Sequence, residues 1–207
     1  MIQIILLSGK QGSGKTTLCA ALRKALYRVP GAYNTEITLA GPIRAAHDHL
    51  RGLIEDAGLK HPPGVERKDG ALMQWLGTEW GRARYGQDVW LEVCRGAIDK
   101  FVKTHETYAK RIVPIVSDVR FRNEFDAFPQ ALRVRLECPE DVRRRRAETW
   151  RENITHPSEV DLDWHAERGS FDMTFDTSLT SIEQQVELIL AQLYKGNWVE
   201  RRTEHDV

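Results

Sequence analysis

Apolar and polar positions follow two periods along the chain, and stretches of the two kinds alternate. Runs of apolar, β-prone residues predict strands at 2–7, near 37–40, and at 111–119, 131–138 and 173–177. Apolar positions that recur every three or four residues predict helices at 15–27, 42–57, 71–85 and 88–104, from 139 onward, and through 182–193. This alternation predicts a doubly wound α/β fold, with a mostly parallel five-stranded sheet and helices on both faces.

Two of these strands have unusual compositions. Pro114 lies inside the stretch 111–119 and weakens its assignment, because proline cannot donate a hydrogen bond to a neighbouring strand. The stretch 131–138 alternates apolar residues with Arg133 and Arg135, which predicts a strand with one exposed face. Residues 58–70 have the glycine and proline content of a loop, and the polar tail 195–207 predicts a loosely held end.

Composition limits the classes of partner. The 207 residues suit one large domain, here 1–194, and 41% hydrophobic with 29% charged residues are ordinary for a globular protein. Because 30 basic residues balance 30 acidic ones, no global field favours nucleic acid or a membrane surface. Three scattered cysteines, no signal-peptide pattern and no long apolar stretch predict a cytoplasmic protein without disulfides.

A glycine-rich segment, GKQGSGKTT at 9–17, separates the first strand from the first helix. Gly9, Gly14, Lys15 and Thr16 satisfy the spacing G-x-x-x-x-G-K-[ST] in the strand–loop–helix context where that motif binds nucleotide phosphates. The glycines let backbone N–H groups converge on phosphate oxygens, and the helix N-terminus adds partial positive charge. Lys15 is predicted to reach the β- and γ-phosphates of ATP, and the Thr16 hydroxyl to ligate Mg²⁺. The other predicted ATP contacts are Gln11, Gly12, Ser13 and Thr17.

The next candidate group ends the strand 111–119. Asp118 is placed where a carboxylate meets the Mg²⁺ of the loop, and Arg120 follows two residues later, on the same side if the chain stays extended. A carboxylate beside a guanidinium suits a metal and a phosphate held together. The alternatives are a turn role for Asp118 and an ion pair of Arg120 with Asp118 or Glu124. Asn123 and Glu124 also fit the start of a helix, with Asn123 as its cap.

The helix predicted at 71–85 has two faces when drawn at 100° per residue. Leu72, Trp75, Leu76 and Trp80 share a face that should pack inward. Gln74, Thr78 and Arg82 lie opposite, next to Gly77 and Gly81. Such a bare strip fits a helix wall against a ligand, and it fits equally well glycines that admit a neighbouring helix.

Four consecutive arginines, Arg143–Arg146, follow a predicted helix start. In a helix Arg143 and Arg146 share a face, and a phosphate-transferring P-loop enzyme needs cations that close over the transferred group. For Arg144 and Arg145 a solvated basic face is the favoured interpretation. Ser158 with Asp161 fits the cap of a short helix.

Several motifs together resemble the bacteriophage deoxynucleoside monophosphate kinases, a P-loop branch related to the nucleoside monophosphate kinases. The shared pieces are GKQGSGKTT, LAGPIRAA, LMQWLGTEWGR, DVW, SDVRFRNE, HPSE and FDTSLTSIEQQVELI. They span about nine tenths of the chain. LGTEWGR, DVRFRNE and HPSE are far more specific than the P-loop alone. The chain departs from many relatives at LAGPIR, where they carry an acidic residue and a lysine.

The resemblance implies transfer of the γ-phosphate of ATP, with Mg²⁺, to a deoxynucleoside 5′-monophosphate. It implies a helical acceptor-binding insertion at about 41–105, a lid or mobile loop at about 143–165, and residence in the cytoplasm of a bacterial host. It is also compatible with a homodimer. The implied acceptor contacts are Arg44, Gln74, Thr78, Arg82, Trp90, Asp118, Arg120, Ser158 and Glu159, and the implied lid cations are Arg143 and Arg146. Two alternatives remain: a P-loop kinase with a non-nucleotide acceptor, distantly like phosphomevalonate kinase, and a non-catalytic ATP-binding switch.

Overall fold

Five parallel strands form a single sheet in the computed structural model, which describes residues 1–64, 69–146, 150 and 157–195. Their order across the sheet is β2-β3-β1-β4-β5. The strands are β1 (Ile5–Gly9), β2 (Ala32–Ile37), β3 (Arg111–Val119), β4 (Leu132–Glu137) and β5 (Met173–Asp176). The predicted doubly wound α/β fold is therefore confirmed.

Ten α-helices and one π-helix lie in the described part of the chain. The longer ones are α1 (Lys15–Tyr27), α2 (Gly41–Asp56), α5 (Val89–His105) and α10 (Ile182–Tyr194). The shorter ones are α3 (Gly70–Trp75), α4 (Ala83–Tyr85), α6 (Arg122–Asp126), α7 (Glu140–Arg146), α8 (Pro157–Val160) and α9 (Asp163–Glu167). The π-helix, Leu76–Arg82, joins α3 to α4. None of the described helices has the length and apolar composition that crossing a membrane requires.

Two compact units divide the chain. The first, the sheet unit, comprises residues 1–37 and the chain from 98 onward, and the second, the helical unit, is Thr38–Ala97. In the sheet unit, α1 and α10 pack on one face of the sheet, where Leu18, Leu22 and Ile189 are fully buried against Ile5 and Ile115. This apolar layer holds β1 and the start of α1 in place, and so fixes the loop between them.

The second strand lies away from its predicted position, whereas β3 has the predicted bounds, 111–119. The second strand is Ala32–Ile37 rather than 37–40, and its polar residues gave little strand signal. Pro114 lies inside β3, opposite Thr35 of β2, so the proline did not end the strand. The final helix, predicted through 182–193, is confirmed as α10.

The predicted exposed face of β4 is wrong. Arg135 is only 5% exposed, because Asp163 of α9 lies against its guanidinium at 2.9 Å. Its guanidinium lies over the Phe171 ring, and the Arg133 guanidinium lies 4.1 Å from the centroid of Phe125. Arg135 is thus a buried cation beside an aromatic ring, whereas Arg133 is only partly buried and Glu137 is exposed.

The helical unit shows why the α-helical wheel at 71–85 fails. A π-helix hydrogen-bonds five residues apart and holds more residues per turn than an α-helix, so faces drawn at 100° per residue do not apply to Leu76–Arg82. Trp75 is 48% exposed and Trp80 37% exposed, so the predicted inward packing of both is wrong, whereas Leu76 is buried.

The two glycines of the π-helix are packed against side chains rather than forming a bare strip. The Trp90 indole N–H donates to the Gly77 carbonyl at 2.8 Å. A Cβ on Gly81 would lie 2.4 Å from the Trp90 ring, and one on Gly77 would lie 3.1 Å from Ile43. The alternative that these glycines admit neighbouring helices is therefore correct, and Trp90 is a buried packing residue of this unit.

Candidate phosphate-binding site

Loop 9–17 has a backbone that only glycine adopts easily. Gly9, Gly12 and Gly14 have φ of 152°, 74° and 97°, all in the left-handed half of the map. A Cβ on Gly12 would approach the Arg143 carbonyl oxygen to 2.8 Å. Helix α1 begins at Lys15 directly after the loop. Sequence and backbone therefore agree on the left-handed glycines that a phosphate-binding loop requires.

The Lys15 ammonium lies inside this cradle. Its Nζ donates to the carbonyl oxygens of Gly9 at 2.5 Å and of Lys10 at 3.0 Å. Burial, and then the nearby Arg120 guanidinium, lower the pKa of Lys15 to about 7, although the carboxylates of Glu159 and Asp118 act in the opposite direction. A bound polyphosphate would raise the pKa of Lys15 again, because its negative charge stabilises the buried ammonium.

Asp118 and Arg120 reach the same place from the carboxyl end of β3. Asp118 is 8% exposed. Asp118 and Arg120 both lie close enough to Lys15 to influence its pKa. The Arg120 guanidinium binds the Glu159 carboxylate and donates to the Ser158 carbonyl oxygen at 3.2 Å. The site thus brings together five predicted residues from three distant stretches of sequence, including the Ser158–Glu159 pair.

The turn after Arg120 differs from the prediction in its cap. Helix α6 begins at Arg122, so Asn123 is not its cap. The buried Glu124 carboxylate accepts the backbone N–H groups of Arg120 at 2.8 Å and Phe121 at 3.1 Å, so it holds the backbone rather than the Arg120 guanidinium. Similarly, Asp161 does not cap a helix with Ser158; its carboxylate accepts the N–H of Arg122 at 2.8 Å.

Three charged residues of the site escaped sequence reasoning. Asp163 on α9 binds Lys10 at 2.7 Å through one carboxylate oxygen and Arg135 at 2.9 Å through the other. Arg135 also donates to the Ser8 hydroxyl at 3.2 Å, and its Nε is buried without a hydrogen-bond partner. The signal available was an arginine within a strand flanked by apolar residues, which we interpreted as surface.

A cavity of about 540 Å³ opens beside the loop within the sheet unit. Apolar and charged side chains line the cavity, with Leu136, Pro139 and Ala166 beside Lys10 and Arg143. It has the volume of a small-molecule site rather than a macromolecular interface.

The arginines of α7 divide into two pairs. Arg143 is buried and donates to the carbonyl oxygens of Gln11 and Cys138, each at 3.1 Å, while Arg146 binds Thr177 at 2.9–3.0 Å. Arg144 and Arg145 form ion pairs with Glu140 and Asp141 of their own helix, in keeping with the solvated basic face predicted for them. The rest of the predicted lid, at 147–149 and 151–156, lies outside the described residues, as does the tail 196–207.

The other predicted acceptor residues belong to the helical unit. Gln74 and Thr78 are exposed, Arg82 is half-buried, and Arg44 lies exposed in the first turns of α2. Trp90, in contrast, is occupied by its packing on Gly77 and Gly81.

The donor chemistry suits Mg²⁺ held jointly with a nucleotide. The Thr16 hydroxyl is exposed at the start of α1, and Asp118 offers a carboxylate at the end of β3. Mg²⁺ commonly takes one or two such ligands and completes its shell with phosphate and water oxygens. Within the described part of the chain no cluster of three histidine, cysteine or acidic residues forms a metal site by itself.

Comparison with known proteins gives a match in structure alone. No family model and no curated protein matches the sequence. Among solved structures, TT1252 from Thermus thermophilus is similar at 18% identity and TM-score 0.55, covering 92% of this chain and 97% of that one. Shikimate kinase from Aquifex aeolicus is similar at 15% identity and TM-score 0.51, covering 94% and 98%. The tunicamycin resistance protein of Deinococcus radiodurans has 20% identity and TM-score 0.50, covering 94% and 96%.

The fold is that of the P-loop kinases. At these identities the likeness concerns the fold, and the acceptor has to be inferred from the chain's own residues.

Proposed function

We propose that this protein transfers the γ-phosphate of ATP to a deoxynucleoside 5′-monophosphate. The observation that carries the proposal is the convergence of Lys15, Asp118 and Arg120 on one glycine loop in a P-loop kinase fold. Phosphoryl transfer needs little covalent chemistry from the protein, and depends on positioning and on charges that stabilise the moving phosphoryl group. Two cations and a carboxylate at the loop supply those charges.

The donor half of the proposal uses the sheet unit. Backbone N–H groups of the loop bind the phosphates of ATP, and Lys15 balances the charge that develops between the β- and γ-phosphates. Thr16 and Asp118 would hold Mg²⁺, which neutralises phosphate charge when bound. The cavity of about 540 Å³ beside Lys10 provides room for the nucleoside of ATP, with Leu136 and Pro139 as apolar contacts.

The acceptor half rests on the resemblance to the phage deoxynucleoside monophosphate kinases and on one local feature. The segment LGTEWGR, one of the three more specific parts of that resemblance, coincides with the π-helix Leu76–Arg82. Isolated π-helical turns are frequent at functional sites. We assign Arg82 to the acceptor phosphate and Gln74, with Thr78, to the base or sugar. Arg120 is assigned a place between the two nucleotides.

A second candidate is a kinase whose acceptor is a hydroxyl group of a non-nucleotide metabolite. The observation in its favour is the similarity of the fold to the shikimate kinase of Aquifex aeolicus. In such an enzyme a carboxylate near the loop would accept the hydroxyl proton, and Asp118 or Glu159 would have that role. A deoxynucleoside monophosphate acceptor has less need of a base, because its phosphate is already ionised.

An assay of ADP release over a panel of acceptors separates the candidates. The panel contains the four natural deoxynucleoside monophosphates, modified-base versions of them, shikimate, simple sugars and no acceptor. We expect turnover with at least one deoxynucleotide, and none in a Lys15→Ala preparation, which controls for contaminating kinases. Turnover with hydroxyl acceptors alone supports the second candidate. Slow ADP release that no acceptor accelerates would indicate the ATP-binding switch instead.

A further inference from the structure

Two carboxylates from one short segment lie on the phosphate-binding loop. We call residues 157–167, which contain α8 and α9, the acidic strap. Glu159 of the strap accepts the N–H of Gln11 at 2.9 Å with one oxygen and binds the Arg120 guanidinium with the other. Further along, Asp163 binds Lys10 and Arg135 at 2.7 and 2.9 Å. The strap therefore neutralises three cations around the loop.

The surroundings of Glu159 are those of a phosphate oxygen. A backbone N–H of the glycine loop, a guanidinium and the nearby Lys15 ammonium are the groups by which P-loops recognise phosphate. The Glu159 side chain is 15% exposed. Burial opposes its charged form, but Arg120, the Gln11 N–H and Lys15 outweigh burial, and the pKa of the carboxyl is lowered. A buried, ionised carboxylate therefore occupies donors that suit a phosphate.

The strap has an anchored part and an exposed part. Leu162 is 2% exposed and His165 is 7% exposed, with the His165 ring 4.4 Å from that of Phe125. Asp161 is held by the N–H of Arg122 at 2.8 Å. In α8, by contrast, Pro157 and Val160 are exposed, and Glu159 and Ser158 supply its contacts to Arg120 and the loop. Helix α8 can therefore leave the loop while α9 stays packed.

We propose that Glu159 is an internal substitute for phosphate, which occupies the loop in the nucleotide-free protein and is displaced by the phosphates of the nucleotide. This inference rests on the proposed function, because it takes the loop to be the seat of ATP. The single Gln11 N–H cannot donate fully to two anions, and the Glu159 carboxylate repels a second anion beside the Arg120 guanidinium, so nucleotide binding requires Glu159 to leave. Displacement also frees Arg120, which then faces the phosphates. The strap thus lowers nucleotide affinity and couples the availability of Arg120 to loop occupancy.

The first test measures binding to the full-length protein by calorimetry, with ATP·Mg²⁺ and with inorganic tripolyphosphate. Glu159→Gln keeps the shape of the side chain and removes its charge. We expect it to bind both ligands about tenfold more tightly than wild type, since the competing charge-assisted contacts are lost. Glu183→Gln, an equal loss of charge on the exposed first turn of α10, serves as the matched control and should bind like wild type.

A second variant guards against instability of the first. Glu159→Asp keeps the charge but shortens the side chain by one methylene, and we expect a smaller gain in affinity with a melting temperature near wild type. Amide hydrogen exchange gives an independent readout. Tripolyphosphate should accelerate exchange at 158–161 in wild type, where the Asp161 N–H donates to the Pro157 carbonyl oxygen. This is the opposite of ordinary ligand protection, and these amides should be unchanged in Glu159→Gln.

The outcomes separate this inference from the proposed function. Wild type that binds ATP while Glu159→Gln binds it equally or more weakly overturns the inference and leaves the kinase proposal standing. Weaker acceptor binding with unchanged ATP binding also overturns it, and makes Glu159 an acceptor contact. If neither protein binds ATP or tripolyphosphate, both proposals fail. Wild type that binds poorly beside a variant that binds well supports the internal anion most strongly.

Discussion

The sequence predicted the sheet unit well and the helical unit poorly. In the sheet unit a nine-residue motif predicted a backbone, and the backbone has the left-handed glycines that the motif requires. In the helical unit a pattern of faces fitted a ligand wall and a packed neighbouring helix equally well, and the π-helix at Leu76–Arg82 removed the geometric basis on which those faces were drawn. The motif predicts a backbone conformation directly, because its glycines adopt positive φ easily. The helical faces hold only if the helix has the 3.6 residues per turn of an α-helix.

The same contrast holds for what the glycines do. Gly12 admits the Arg143 carbonyl oxygen beside the glycine loop. Gly81 admits the Trp90 indole and serves packing. A glycine in a sequence can indicate that another group packs closely against the backbone, but it does not indicate whether that group is a ligand, a carbonyl group or a ring. The predictions below probe this difference between a phosphate site and a packed helical unit.

The largest effect should come from the sheet unit. We expect Lys15→Ala to lower kcat for phosphoryl transfer by about a hundred- to a thousandfold, because the ammonium stabilises charge that develops in the transition state. The variant should remain folded, since a buried cation with a lowered pKa contributes little to stability. Single-turnover kinetics and a thermal melt check the two parts. A folded variant with nearly normal kcat would mean that the loop is not catalytic.

An intermediate effect should come from Arg82 in the helical unit. If this guanidinium holds the acceptor phosphate, Arg82→Ala should raise the acceptor KM by about tenfold or more for every base alike, with the KM of ATP unchanged. Gln74→Ala should instead change the ratio of kcat/KM between bases. Arg84→Ala, an exposed neighbour in α4, is the matched control. A rise in the ATP KM, with acceptor binding intact, would contradict the assignment.

Gly81 tests the packing side of the comparison with a smaller, purely structural effect. Gly81→Ala places a Cβ within 2.4–2.9 Å of three atoms of the Trp90 ring, and we expect a loss of about 1–3 kcal/mol in the free energy of unfolding. Gly52 of α2 has open space around its Cβ position, so Gly52→Ala should stabilise the protein by about 0.5–1 kcal/mol. Urea unfolding of both variants measures the difference. Equal stabilities would show that the Trp90 ring gives way freely.

What could be predicted followed from signals local in the sequence. The loop, α1, α10 and the order of strands and helices follow from motifs and periodicity. The ion pairs of Asp163 could not be predicted, because the partners Asp163 and Arg135 are 28 residues apart and Lys10 and Asp163 are 153 apart. The residues around each partner in the sequence give no indication of the other partner. Arg135 was misassigned because alternation alone does not reveal that Asp163 of α9 lies against its guanidinium.

The π-helix was beyond prediction for a different reason. Its sequence, LGTEWGR, fits an α-helix as well, and the wider turn coincides with the packing of Gly77 and Gly81 against the Trp90 indole. Such a contact with another helix is not contained in any local window of sequence. Resemblance to a family placed the segment in the acceptor region without indicating its helix type.

The smallest expected effect concerns His165, one of two buried histidines that lie in different units. In the helical unit His47 is tied on both sides of its ring: one nitrogen accepts the N–H of Asp69 at 2.9 Å and the other lies 2.8 Å from Asp48. In the sheet unit His165 packs between Phe125 and Trp164. Burial lowers the pKa of His165, outweighing the nearby Asp126 carboxylate, which acts in the opposite direction.

Because the folded pKa of His165 is lowered, the unfolded chain binds a proton at this residue more readily than the native protein. The contribution of His165 to stability is therefore present above the unfolded pKa, about 6.5, and is lost as pH falls through that value. His165→Phe keeps a stacked ring and cannot take up a proton, so the free energy of unfolding should fall less steeply between pH 7.5 and about 5 than in wild type. Urea unfolding at several pH values measures this slope. If the slope is the same in the variant, another group governs the acid sensitivity of the sheet unit, and the packing of His165 between its aromatic neighbours does not affect its protonation.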